Sequence, residues 1–307
     1  MITASAPGKI NIFFDCGALQ PDGFHEVASV YLALNLRERV SVSLSQTWAV
    51  TVQGDISAEH LAGVPTDESN LVVRAAKLVA EIAKIDAPTP LHFVIDKAVP
   101  VAGGMGGGSA DAAAAMVAAN EIWLAGLSFE TLVAESGRLG ADVPFALAGE
   151  VAVGLGRGEQ LRSIHATKPL HWVLVANDGG LSTPTVYRHL DELRSAQQVD
   201  PTKVSAPSVP ALLEHAIING DAHALAGLMR NDLEAAAVYL MPTLAQTIEA
   251  GVAAGALAGI VSGSGPTVAL LAESENSAES IANYLAIQGY TAITAVGPAA
   301  GTILESN

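Results

Sequence analysis

Pro100-Val101-Ala102-Gly103-Gly104-Met105-Gly106-Gly107-Gly108-Ser109-Ala110-Asp111 sets five glycines ahead of an alanine-rich segment that runs from Ala112 to Leu124. Alanine has the strongest helical propensity of any residue, and Leu91–Asp96 upstream reads as a strand. The order is therefore strand, glycine loop, helix, with the helix expected over Ser109–Leu124. Glycines let backbone N–H groups converge with no side chain in the way. The helix N-terminus adds unpaired donors and the positive end of its dipole. Such a loop suits an anion, phosphate above all. No lysine or arginine falls between Ala98 and Gly137, so backbone amides would hold the phosphates.

That absence separates the loop from two common phosphate motifs. A G-x-x-x-x-G-K-[ST] loop needs a lysine where Ser109 stands, although Gly103 and Gly108 have the right separation. A dinucleotide-binding G-x-G-x-x-G, counted from Gly104 or Gly106, needs a glycine at 109 or 111, and neither is present. The competing reading is a flexible linker, or glycines needed only for close packing.

The 307 residues allow two domains of ordinary size. Half the residues are hydrophobic and 15% are charged, which supports a substantial core and argues against disorder. A formal charge of −16 excludes nucleic acid as a natural partner, because duplex binding needs a basic face. It also repels polyanions at long range. A phosphate site must therefore be locally positive, through amides, a helix terminus, a metal ion or the candidate lysines Lys9 and Lys97. Cys16 is the single cysteine, so no intrachain disulfide can form and a reducing compartment is expected. The first residues do not read as a signal peptide. The uncharged stretch from Ala250 to Ala272 is broken by Ser262-Gly263-Ser264-Gly265-Pro266. The expectation is a cytoplasmic protein without a membrane span.

The first third reads as β-rich, with strands over Ile2–Asp15, Val27–Leu36, Val40–Leu44 and Val50–Gln53. A helix is expected near Asn70–Lys84, capped by Asp67 or Ser69, and Ser128 caps another that runs to about Leu139. Gly154, Gly156 and Gly158 punctuate the next strand, and the chain is divided there into 1–155 and 156–307. Beyond it, strands at His171–Asn177, Ala258–Ser262, Thr267–Ala272 and Thr291–Val296 interleave with helices beginning near Thr183, Val209, Asp221, Pro242 and Ala278. Interleaving without strict alternation predicts an α+β fold in both halves.

Four further constellations carry chemistry. Lys9 and Asn11 fall on one face of the first strand by the period of two, as recognition of an anionic, hydroxylated ligand would require; a solvated edge face is the plainer reading. Asp22-Gly23-Phe24-His25 is a turn with an aromatic and an imidazole at its exit; an ordinary hairpin turn with Phe24 as a core contact is the plainer reading. Gly140-Ala141-Asp142-Val143-Pro144-Phe145 sets an acid before a proline suited to a first helical turn, so Asp142 is either an N-cap or a general base. Ser262-Gly263-Ser264-Gly265-Pro266-Thr267 is either a tight hairpin turn or a second phosphate-facing loop. Searches for zinc and serine-nucleophile motifs find none.

The order of these signals is more specific than any one of them. A-P-G-K-I-N from Ala6, P-x-x-x-G-M-G-G-G-S-A from Pro100 and S-G-S-G-P-T from Ser262 resemble the three motifs of the galactokinase, homoserine kinase, mevalonate kinase and phosphomevalonate kinase (GHMP) superfamily. The resemblance spans essentially the whole chain. D-G-F-H, G-A-D-V-P-F and the triple glycine before Ser109 resemble the branch that phosphorylates a cytidine diphosphate-linked methylerythritol in the non-mevalonate isoprenoid pathway. Homoserine and mevalonate kinases are the alternative, and they should lack the first two of these motifs.

The resemblance implies an N-terminal domain like domain 2 of ribosomal protein S5 and a ferredoxin-like C-terminal domain. It implies ATP and Mg2+ as cofactors, a small-molecule substrate, and a monomer or weak homodimer. Asp142 matches the family's catalytic aspartate and Lys9 its partner lysine. Pro100 to Ala110 matches the ATP phosphate loop, in which Ser109 is either a magnesium ligand or a plain helix N-cap. Asn11, Phe24, His25, Lys97, Thr183 and Tyr187 match positions of the substrate site, where Phe24 and Tyr187 would enclose a cytosine. Phe24 stands where tyrosine is commoner, and Met105 where leucine is usual.

Overall fold

A computed structural model describes residues 1–54, 61–100, 103–177 and 179–306. Val101 and Ala102 of the glycine loop lie outside the described residues. The frame is a long antiparallel hairpin of β1 (Ile2–Leu19) and β2 (His25–Leu44). The two strands expected at Val27–Leu36 and Val40–Leu44 are thus one. Arg37, which interrupts the apolar pattern, does not break the strand, because its guanidinium donates to the carbonyls of Ser5 at 2.7 Å and Gly301 at 2.6 Å.

Strand β3 (Ala49–Gly54) runs parallel to β4 (Leu91–Lys97), and β4 pairs with the second half of β2. Strand β5 (Val151–Leu155) pairs with β2 through Ser29–Leu32, and β6 (Gln160–Ile164) with β5. A second sheet holds β7 (Leu170–Val175). The short β8 (Arg230–Asn231) returns to run parallel to β1. Beside β7 lie β9 (Ala258–Val261), β10 (Val268–Ala272) and β11 (Ala292–Gly297), and β12 (Ile303–Leu304) closes onto β1. The second sheet is antiparallel with order β11-β7-β10-β9, the ferredoxin-like arrangement. The expected division at 155/156 falls inside the β5–β6 hairpin. Sheet membership first changes between Ile164 and Leu170, and we propose the division there.

Helix α1 (Leu71–Ile82) is capped by Asn70, whose carboxamide accepts from the Val72 amide at 3.0 Å. Asp67, an expected cap, instead accepts from Ser69 in the turn before it. Helix α2 (Gly107–Ile122) packs between α1 and the β1–β2 hairpin. Ala110, Ala112, Ala113, Ala114, Ala115, Ala118 and Ala119 are all fully buried; their small side chains let the helix lie close to the sheet. That contact presses the glycine loop against β1. Helix α3 (Phe129–Ser136) takes Ser128 as its cap, as expected, and is followed by α4 (Val143–Ala148). In the second half, α5 (Thr183–Ala196) carries the residues that face the first domain. Among the described residues, no helix is long and apolar enough to cross a membrane.

Candidate active site

Helix α2 begins at Gly107, two residues before the expected start, because Gly106 takes the N-cap position with φ +73°. Gly104 also has a positive φ, +70°. Side chains strongly disfavour this backbone region, so the loop turns only because these residues are glycine. A Cβ on Gly106 would lie 3.3 Å from Lys9 Cγ, and one on Gly107 2.9 Å from Glu38 Oε1. The Lys9 amide donates to the Met105 carbonyl at 2.9 Å and ties the loop to β1. Ser109 is consequently the third residue of the helix and not its cap. No side chain caps α2, so its first amides have no intrahelical partner. They border a cavity of about 380 Å3 lined by Pro100, Gly103 through Ser109, Lys97 and Asp111.

Lys97 is the one expected substrate-site residue that the fold keeps apart from the others. It lies beneath the glycine loop, where its ammonium is buried between Glu38 Oε1 at 2.6 Å and Asp111 Oδ2 at 2.7 Å. Burial pulls the Lys97 ammonium down, but Asp111 and Glu38 outweigh it and hold it above its usual range. Burial also raises both carboxylic acids. That of Glu38 rises to about 7, with Asp111 adding to the shift and Lys97 opposing it. Because the folded protein binds this proton more tightly than the unfolded chain, Glu38 stabilises most below about pH 4.5, and that stability is lost as pH rises toward about 7. Between those limits the melting temperature of the wild type should fall relative to that of Glu38→Gln. Parallel melting curves across the window would contradict this assignment.

Lys9 Nζ sits 3.6 Å from Asp142 Oδ2 and donates to Asn11 Oδ1 at 2.7 Å. The Asn11 carboxamide is itself fixed by Ser29 Oγ at 2.6 Å. Lys9 and Asn11 are buried, so this is not a solvated edge face. Lys9 Nζ also lies 5.6 Å from the centre of the Tyr31 ring. Burial, with Asp142 nearby, pushes the Tyr31 hydroxyl well above its ordinary range. Asp142 starts α4, yet its side chain makes no capping hydrogen bond and stays partly open to solvent. From the other domain, the β9–β10 turn approaches, with Ser262 Oγ accepting from the Asn11 amide at 3.0 Å. S-G-S-G-P-T is thus a hairpin turn, and its Gly263 and Ser264 line the same small cavity of about 200 Å3 as Lys9 and Asp142.

A third cavity, of about 620 Å3, opens beyond it and is lined by Phe24, His25, Arg157, Thr183, Tyr187 and Asp191 among others. Phe24 is 53% exposed, so it is a wall of the cavity and not a core contact. Arg157 lies 3.9 Å over its ring and pairs with Asp22 at 2.6 Å. His25 is buried against Tyr187, with ring centres 5.2 Å apart, and Thr183 Oγ1 is 2.9 Å from Ser264 Oγ. Burial also raises the Tyr187 hydroxyl.

Residues 70–150 match the GHMP kinases N terminal domain, and residues 212–291 match GHMP kinases C terminal. The chain is 47% identical to 4-diphosphocytidyl-2-C-methyl-D-erythritol kinase of Pseudarthrobacter chlorophenolicus, over 100% of this chain and 95% of the relative. It is 46% identical to the enzyme of that name from Nocardia farcinica, over 98% and 95%. The chain belongs to the 4-diphosphocytidyl-2-C-methyl-D-erythritol kinase family of GHMP kinases. A crystal structure of 4-(cytidine 5'-diphospho)-2C-methyl-D-erythritol kinase superposes with a TM-score of 0.76 at 27% identity, covering 99% of this chain and all of that one. The L. major mevalonate kinase shares the fold, with a TM-score of 0.74 at 18% identity over 97% and 96% of the two chains.

Three residues of the kinase's cleft carried no signal of their own in the sequence. Arg157 sits in the turn between β5 and β6, and Tyr31 on the face of β2 turned to Lys9. Asp191 is four residues after Tyr187 and eight after Thr183, a spacing that places all three on one face of α5. That spacing was the available clue.

Proposed function

We propose that this kinase transfers the terminal phosphoryl group of ATP to the 2-hydroxyl of 4-diphosphocytidyl-2-C-methyl-D-erythritol. The continuity of the three cavities carries the reading. Gly104 and Gly106 border both the loop cavity and the Lys9–Asp142 cavity, while Arg157, Thr183 and Tyr187 border both the latter and the aromatic cavity. ATP phosphates on the α2 terminus, a hydroxyl at Asp142 and a base near Phe24 would then occupy one path.

Phosphoryl transfer depends on positioning and on stabilising charge more than on covalent help. In this reading, Asp142 accepts the proton of the attacking hydroxyl, and Lys9 steadies the charge developing on that oxygen. Asn11 holds Lys9 in place. Among the described residues no cluster of three or more His, Cys, Asp or Glu side chains could cage a metal. This fits a magnesium ion bound chiefly through ATP oxygens and water. Ser109 is the residue that would hold it, and its chemistry there would be to offset the charge of the phosphates. The reaction is placed in the cytoplasm, in a monomer or weak homodimer.

If Phe24 and Tyr187 enclose the cytosine, each ring contributes about 1–3 kcal/mol, the scale of base–aromatic stacking. Phe24→Ala and Tyr187→Ala should each weaken the cytidyl substrate about 5- to 150-fold, with ATP affinity nearly unchanged. Steady-state constants for both substrates check this. Unaltered constants for the cytidyl substrate in both variants would remove the aromatic pair from the base site.

A further inference from the structure

We infer that Asp191 determines which pyrimidine the aromatic cavity accepts, by fixing which nitrogen of His25 carries the proton. The inference rests on the reading of that cavity as the base site. His25 Nε2 and Asp191 Oδ1 are 3.0 Å apart, with side chains 3% and 16% exposed. A carboxylate offers only lone pairs, so the proton of this hydrogen bond belongs to Nε2. In the neutral ring Nδ1 is then an acceptor, since the partner of one ring nitrogen sets the state of the other. Among the described residues nothing hydrogen-bonds Nδ1. It is therefore the ring nitrogen left to meet a ligand in the cavity that His25 lines.

An acceptor at this point discriminates between pyrimidines. Cytosine presents an amino donor at C4, where uracil presents a carbonyl oxygen. Nδ1 matches the amino group and opposes the oxygen, whose lone pairs would face its own. Tyr187, one turn before Asp191 on α5 and packed against His25, holds the ring at a fixed inclination of 32°. Asp191 is thus a positioning residue that acts through His25.

The test is Asp191→Asn, assayed with ATP and either the cytidyl substrate or its uridyl counterpart. An asparagine can donate to Nε2, which drives the proton to Nδ1 and turns the cavity-facing atom into a donor. The ratio of kcat/KM for cytidyl over uridyl substrate should fall by about tenfold to a hundredfold, the range of a reversed base contact. The change should appear as a higher KM for the cytidyl compound and a lower one for the uridyl compound. A purely structural lesion would raise both. Asp191→Glu, which keeps the acceptor, should retain the preference. Nitrogen NMR of histidine-labelled wild type gives a second test that needs no folded variant at position 191: neutral His25, assigned with His25→Gln, should be protonated on Nε2. An Nδ1-protonated ring, or an unchanged ratio in Asp191→Asn beside a wild type that prefers the cytidyl compound, overturns this inference alone. A wild type that accepts neither compound overturns the base-site reading as well.

Discussion

Asp142→Asn should lower turnover about 10²- to 10⁴-fold, the usual effect of removing a general base, and leave ATP affinity and the fold intact. Asparagine has the shape of the carboxylate but cannot take the proton of the attacking hydroxyl. The native side chain makes no capping bond to α4 and instead faces Lys9 at 3.6 Å. The substitution should therefore cost little stability. Pre-steady-state phosphoryl transfer and a thermal melt, measured on the same preparation, separate the two roles. Turnover within about threefold of wild type would leave Asp142 as a helix-start residue only.

Gly106→Val should abolish measurable ATP binding in a chain that still folds. Its φ of +73° is closed to a β-branched residue, and the new Cβ would press on Lys9 Cγ at 3.3 Å. The loop would have to move away from β1, and with it the first amides of α2. Gly108 provides the control, because it has no positive φ and a Cβ there meets only Leu71 Cδ1 at 3.7 Å. Gly108→Ala should keep the native melting temperature to within a few degrees. Calorimetric titration of ATP into folded Gly106→Val is the measurement, and unchanged affinity would reduce the glycines to a packing role.

The α+β division and most elements were legible because strand alternation, glycine punctuation and alanine runs are local properties. The start of α2 was misplaced because alanine-based propensity gives glycine no helical weight, whereas Gly107 and Gly108 extend the helix at its exposed end. That Asp142 makes no capping bond could not be read from its own segment, since the side chain faces Lys9, at the far end of the domain sequence. The surroundings of Lys97 were hidden for a related reason. A lysine next to a phosphate loop reads as available, and only the fold brings Glu38 and Asp111 onto its ammonium. Arg157 became visible only when the β5–β6 turn met α5 around Phe24, whereas Asp191 had the helical spacing from Thr183 and Tyr187 as its one clue.

The identity of the acceptor is tested most directly by a single measurement. Purified wild-type protein is given ATP and, in separate reactions, 4-diphosphocytidyl-2-C-methyl-D-erythritol, homoserine or mevalonate, and the phosphorylated products are quantified by mass spectrometry. The cytidyl compound alone should be converted efficiently, because neither of the others offers a ring to the Phe24–Tyr187 cavity. Efficient phosphorylation of homoserine or mevalonate, with the cytidyl compound left unreacted, would contradict the account.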